Sequence, residues 1–186
     1  MKHDIKPRLT HLRALMTRDG IDAVIIPQSD SHQSEYLADY WQVRRFFSNF
    51  TGSAGDLIVT QNEAWLWTDS RYFIQDSQQL EGTGIGLMKE GLPGTPSQEE
   101  WLKAHLHSGQ KVGVDPKVYS VTSYDKLVSE LATKDIVVTA FDPASVWENR
   151  PGLPSDKIFI HDVKYAGKGA VEKIDEALAA AATFGA

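Results

Sequence analysis

Apolar residues along the first forty positions switch period, and the switch separates helix from strand. Leu9, Leu12, Leu15 and Met16 recur at three- and four-residue spacing, which predicts one buried helix face, and the pair Asp19-Gly20 ends it. "AVIIP" at 23–27 is a short β-branched run that reads as a strand. The segment after it, "SDSHQSEYLADY", opens with Asp30 and, three residues on, Gln33, a helix-start signal. "DLIVT" (56–60) and "AWLWT" (64–68) flank the polar turn "QNE", which predicts an antiparallel hairpin. Side chains alternate across a strand, so Trp65 and Trp67 share one face and Leu66 takes the other. Apolar residues on both faces call for helices on both sides of the sheet.

The pattern continues in alternation. "RYFIQDSQQLE" reads as helix and "IGLMK" as strand. A further helix is marked by Thr95 as cap, Pro96 in its first position and Gln98 in the capping-box place, with Trp101, Leu102 and Leu106 facing inward. "KVGVD" is a strand, Tyr124, Leu127, Val128 and Leu131 form an amphipathic helix that starts near Thr122 and Asp125, and "DIVVTAF" is the closing strand. This order predicts an α/β sandwich with a mixed sheet. Prolines 143, 151 and 154 then interrupt the pattern, which suggests a domain boundary. The division is residues 1–150 as one domain, 151–157 as a Pro-rich linker, and 158–186 as the start of a truncated second domain holding a strand-like "IFIHD" and an alanine-rich helix. At 186 residues, one sizeable core is expected.

Charge narrows the function classes. With 19 Lys and Arg against 25 Asp and Glu, the net charge is -6, which argues against nucleic acid or an anionic membrane as partner. There are no cysteines, so disulfides, thiolate metal sites and cysteine nucleophiles are excluded. No stretch approaches the roughly 18 apolar residues of a membrane span, and the N-terminus lacks an apolar signal region, so the expected compartment is the cytoplasm.

Candidate chemistry centres on "NFTGSAGDLIVT" at 49–60. A nucleophile elbow around Ser53 needs glycines at 51 and 55, but position 51 is Thr51, and an elbow serine follows its strand whereas this one precedes it. A phosphate loop would want a lysine, and Asp56 would repel the anion. A structural turn built on Gly52 and Gly55 is the preferred reading. "GTGIG" at 82–86 has Leu87 where a dinucleotide fingerprint needs glycine, and reads as a loop. His105 and His107 lie two apart on a helix and diverge, while His32 and Glu35 would share a helical face, a pair too common to mark a metal site. Arg44 and Arg45 beside Phe46, Phe47 and Phe50 have two readings. One is a snorkelling or salt-bridged edge, and the other a rim that grips a carboxylate through arginine's forked donors. Arg71 and Tyr72 raise the same alternatives.

Taken together, "HQSEY" (32–36), "RRFFSNFTGSAG" (44–55), "WLWTDSRYFIQ" (65–75), "LMKEGLPGTPSQEEWL" (87–102) and "VGVDP" (112–116) resemble the N-terminal, creatinase-type domain of long-form, three-domain Xaa-Pro aminopeptidases over about residues 5–160. The resemblance implies a ribonuclease-H-like three-layer sandwich whose mixed, mostly parallel sheet contains one antiparallel hairpin. It also implies a similar second domain and a C-terminal domain with two divalent metals, usually manganese, whose bridging water attacks the peptide bond before proline. None of that domain's aspartate, histidine and glutamate ligand motifs occurs here, so this chain alone is expected to be inactive. The resemblance further implies partners within the same chain, a homodimer, and short Xaa-Pro peptides as substrates, with this domain helping dimerisation and access to the active site. Arg44, Arg45, Arg71 and Tyr72 are the candidates for such an interface or access rim. A rival reading is a non-catalytic peptide- or protein-binding module of a peptidase-like chaperone.

Overall fold

Alternation along the central strands decides the layering. The computed structural model describes residues 5–185 and divides into two units, one up to Leu153 and one from Pro154 onward. In the first unit, a six-stranded sheet is built from β1 (Ala23–Ile26), β2 (Asp56–Thr60), β3 (Ala64–Thr68), β4 (Gly86–Lys89), β5 (Lys111–Val114) and β6 (Val137–Ala140), in the spatial order β4-β3-β2-β1-β5-β6. β2 runs antiparallel to both β1 and β3, and every other pairing is parallel. The "QNE" hairpin therefore forms as expected, with Leu57 opposite Leu66 and Ile58 opposite Trp65.

Val24, Ile26, Leu57, Val59 and Leu66 point to one face, where α1 (Lys6–Asp19), α2 (Val43–Ser48) and α3 (Phe73–Leu80) cover them. Ala23, Ile25, Ile58 and Trp67 point to the other, under α4 (Gln98–His105) and α5 (Val121–Ala132). Trp65 packs with this second cluster, so the two tryptophans do share a face opposite Leu66. Leu9, Leu12, Leu15 and Met16 are all buried on α1, and Arg13 ties that helix to the hairpin by donating to the Thr60 and Glu63 carbonyls at 2.8 and 3.1 Å.

Three local expectations change. Residues around 30–36 form turns, because the buried Asp30 carboxylate accepts from the backbone of His32 (2.8 Å) and Ser34 (3.0 Å) and Gln33 adopts φ 57°. An aspartate that bonds its own backbone in this way competes with helix, so His32 and Glu35 share no helical face. α4 is capped by Ser97 rather than Thr95: Ser97 Oγ accepts from Glu100 N (3.1 Å) and Glu100 accepts from Ser97 N (2.8 Å). Trp67 Nε1 donates to the Pro96 carbonyl at 3.0 Å, which holds residues 95–96 outside the helix. α5 likewise starts at Ser120, whose Oγ accepts from Ser123 N, and not at Thr122.

In the second unit the "IFIHD" segment is not a strand, since no other described segment pairs with it. A strand needs a partner for its backbone groups. α6 (Val163–Ala166) follows, then α7 (Ala170–Ala182), on which Val171, Ile174 and Leu178 are exposed.

Candidate functional site

The loop between α2 and β2 is organised by one buried side chain. Arg44 leaves α2 only 1% exposed and points beneath the loop. Its Nε and Nη2 donate to Gln28 Oε1 (3.1 and 2.7 Å), Nη1 to the Phe50 carbonyl (3.1 Å), and Nη2 to the Gly52 carbonyl (2.5 Å). The guanidinium also lies 4.5 Å from the Phe50 ring centre. Burial lowers its pKa to about 10, countered in part by Asp56 and Asp76. Arg44 is thus the internal clamp of the "NFTGSAG" turn, and its forked donors are engaged by carbonyls of its own chain.

The glycines of the turn answer to close approach. A side chain at Gly52 would collide with the rings of Phe50 and Tyr72, and Gly55 has φ 130° with the Trp67 carbonyl 2.5 Å from where a Cβ would sit. Ser53 Oγ shares a 2.8 Å hydrogen bond with the Tyr72 hydroxyl, which lowers the tyrosine pKa. A phenol is no general base for a serine, so the hydroxyl pair fastens the turn to the start of α3.

Beneath the same turn lies Asp76, fully buried on α3, with neither carboxylate oxygen hydrogen-bonded. Desolvation raises its pKa to about 7, and the Arg44 charge opposes the rise. Asp76 and Gln28 escape sequence reasoning. Nothing in their local spacing marks them, because each acquires its role from chain segments distant in sequence.

Arg45, Arg71 and Tyr72 occupy more open positions. Arg71 is exposed and grips Asp69 in a two-pronged pair at 2.9 and 2.7 Å, which raises its own pKa and lowers that of Asp69. Arg45 is exposed on α2 and lines an open cleft of about 630 Å³ together with Arg8, Asp39, Phe46, Gln79 and Trp147. Tyr72 is half-buried, edge-on to Phe50 with ring centres 5.7 Å apart. The structure therefore groups Arg44 and Tyr72 around the turn, while Arg45 belongs to the neighbouring cleft.

A second cleft of about 480 Å³ opens where β1 and β4 end, lined by Asp56, Glu90, Glu99 and Lys126. Burial raises the Glu90 pKa first, and Asp56, Asp69 and Glu99 add to the effect. Asp56 is occupied, accepting from Gln28 N (3.1 Å) and Gln98 Nε2 (2.9 Å). Among the described residues, no group of three or more His, Cys, Asp or Glu could hold a metal ion. Among the described residues there is no ligand set for the two divalent metals that the resemblance implies. His105 instead stacks on Trp101 with ring centres 4.0 Å apart.

A six-stranded mixed sheet with one reversed strand, helices on both faces and an arginine-clamped turn between α2 and β2 define a layered α/β domain. Residues 8–144 match the creatinase/prolidase N-terminal domain family, and the chain belongs to that family. It is 40% identical over 177 residues to aminopeptidase P2 of Arabidopsis thaliana, covering 91% of this chain and 25% of that protein. It is 41% identical over 175 residues to a probable Xaa-Pro aminopeptidase P of Talaromyces marneffei, covering 92% of this chain and 26% of that one. Among solved structures, an X-prolyl aminopeptidase from Caenorhabditis elegans, described as a cytosolic enzyme with a di-nuclear active site, superposes with a TM-score of 0.81 at 31% identity, covering 94% of this chain and 30% of that chain. The chain spans about a quarter of the length of the curated relatives it matches. The ribonuclease-H-like, mostly parallel architecture expected from the resemblance is the one observed.

Proposed function

We propose that this chain serves as the N-terminal, non-catalytic domain of a metal-dependent aminopeptidase that removes the first residue from Xaa-Pro peptides. One observation carries the reading: 41% identity across 92% of the chain with a probable Xaa-Pro aminopeptidase P. The catalytic metals, manganese in this reading, belong to a further domain of the same polypeptide, since the described residues offer no ligand cluster. The domain contributes to a homodimer and to the rim through which short peptides reach the metals in the cytoplasm. Arg45, Arg71 and Tyr72 are the rim or interface groups of this proposal, and Arg44 supports them from within by fixing the turn. The rim role is supported by the exposure of both arginines and by the half-buried position of Tyr72 next to the clamped loop.

Sequencing the coding region beyond the codon for Ala186 tests the reading. A continuation that encodes two aspartates, a histidine and two glutamates spaced as a two-metal site is the expected result. A continuation with those ligands replaced would overturn it and favour a chaperone-type binding module.

A further inference from the structure

The cleft beside α2 reverses the charge of the molecule. The chain carries a net charge of -6, yet Arg8 and Arg45 line this cleft together with one carboxylate among the described residues, Asp39. Arg150 adds a third guanidinium nearby, donating to the Tyr40 carbonyl at 2.9 Å and lying 3.6 Å over the Tyr40 ring. Arg8 is held in place: its Nη1 donates to the Phe46 carbonyl at 2.6 Å, and its guanidinium sits 4.3 Å from the Phe46 ring centre. Phe46 and Trp147 stack nearly parallel, 4.4 Å apart and 14° from coplanar, which gives the cleft a flat apolar wall. Arg45 differs from both other arginines, because its exposed side chain has no hydrogen bond, ion pair or ring contact among the described residues. A cationic fork with no partner among the described residues thus stands beside an immobilised second cation and an aromatic shelf.

We infer that this cleft binds the free carboxylate end of a short peptide, with Arg45 as the principal contact. A guanidinium matches a carboxylate through two parallel donors. Arg8 strengthens the local field without having to reorganise, since its position is already set by Phe46. Asp39 decides against a phosphate: a dianion would meet like charge, whereas a peptide brings one negative charge and N–H groups that a carboxylate can accept. The Phe46–Trp147 wall suits a ring-bearing side chain next to that terminus, proline or aromatic. A cleft of about 630 Å³ is of the size that holds a small ligand. The choice of a peptide over other monoanions rests on the proposed function.

The test is calorimetric titration of this chain at low ionic strength with Ala-Pro-Phe and with its C-terminal amide. The acid should bind at least tenfold more tightly than the amide, a difference of about 1.4 kcal/mol. Arg45→Gln should remove most of that preference while leaving the thermal transition in place, because an exposed, unpaired side chain adds little to stability. Acetate should compete with the peptide acid more effectively than sulfate or inorganic phosphate. Equal binding of acid and amide, no binding of the acid at millimolar concentration, an unaltered preference in R45Q, or stronger competition by phosphate would each overturn the inference. These readouts concern this chain's own cleft, so their failure leaves the aminopeptidase reading standing, and the metal-ligand test above addresses that reading separately.

Discussion

Replacing Arg44 by methionine should cost about 3–5 kcal/mol of folding stability. Methionine keeps most of the stem's volume, so the change isolates the guanidinium. Its loss leaves the Phe50 and Gly52 carbonyls and the Gln28 amide oxygen without their donor inside the protein. Each unsatisfied buried group costs about 1–3 kcal/mol, and partial access of water to the loosened turn reduces the sum. Asp76, buried nearby, also loses the one charge that opposes its desolvation, and breaking such a buried arrangement typically costs about 3–5 kcal/mol. Against a total stability of about 5–15 kcal/mol this is a large fraction. For a chain of this size it corresponds to a fall of roughly 6–20 °C in Tm. Thermal and urea unfolding followed by circular dichroism would measure it. A loss below about 1 kcal/mol in R44M would refute the view of Arg44 as the clamp of the turn.

Further expectations follow from neighbouring groups. The folded pKa of Asp76, about 7, lies above its unfolded value, so the folded chain holds the extra proton between the two, and the Asp76 contribution falls as pH rises from about 4 to about 7. Comparing Asp76→Asn with the unaltered chain should therefore show a stability difference that grows in favour of the variant by a few kcal/mol over that range and is flat above it, and a pH-independent difference would contradict the assignment. Ser53→Ala should lose about 1 kcal/mol with the Tyr72 bond, and a fluorophosphonate probe should leave Ser53 of the unaltered chain unlabelled, whereas labelling there would restore the nucleophile reading. Ser97→Ala should cost about 1 kcal/mol in urea unfolding and Thr95→Ala a few tenths, and the reverse order would contradict the observed cap.

Sequence pattern carried the layers well and the turn chemistry poorly, for physical reasons. Two-residue alternation in "AWLWT" assigns Trp65 and Trp67 to one face whatever the strand pairs with, and that assignment holds. The antiparallel contact of β1 with β2 depends on segments thirty residues apart, and no local signal encodes it. Thr95 and Ser97 are both competent caps, and the choice between them is made by Trp67 from across the fold. Asp30 could start a helix or fold back on its own backbone, and it does the latter. Motif resemblance identified the family through five segments, the "TGSAG" turn among them, yet the physical basis of that turn, an arginine eight residues upstream of Gly52, is visible only in three dimensions.

In the proposed function this chain is a supporting domain, and peptide-bond chemistry belongs to metals held elsewhere. Incubating the purified chain with an Xaa-Pro peptide, with and without manganese, and following release of the first residue by mass spectrometry tests it most directly. No release under either condition is expected, whereas metal-dependent release by the pure chain would contradict the claim.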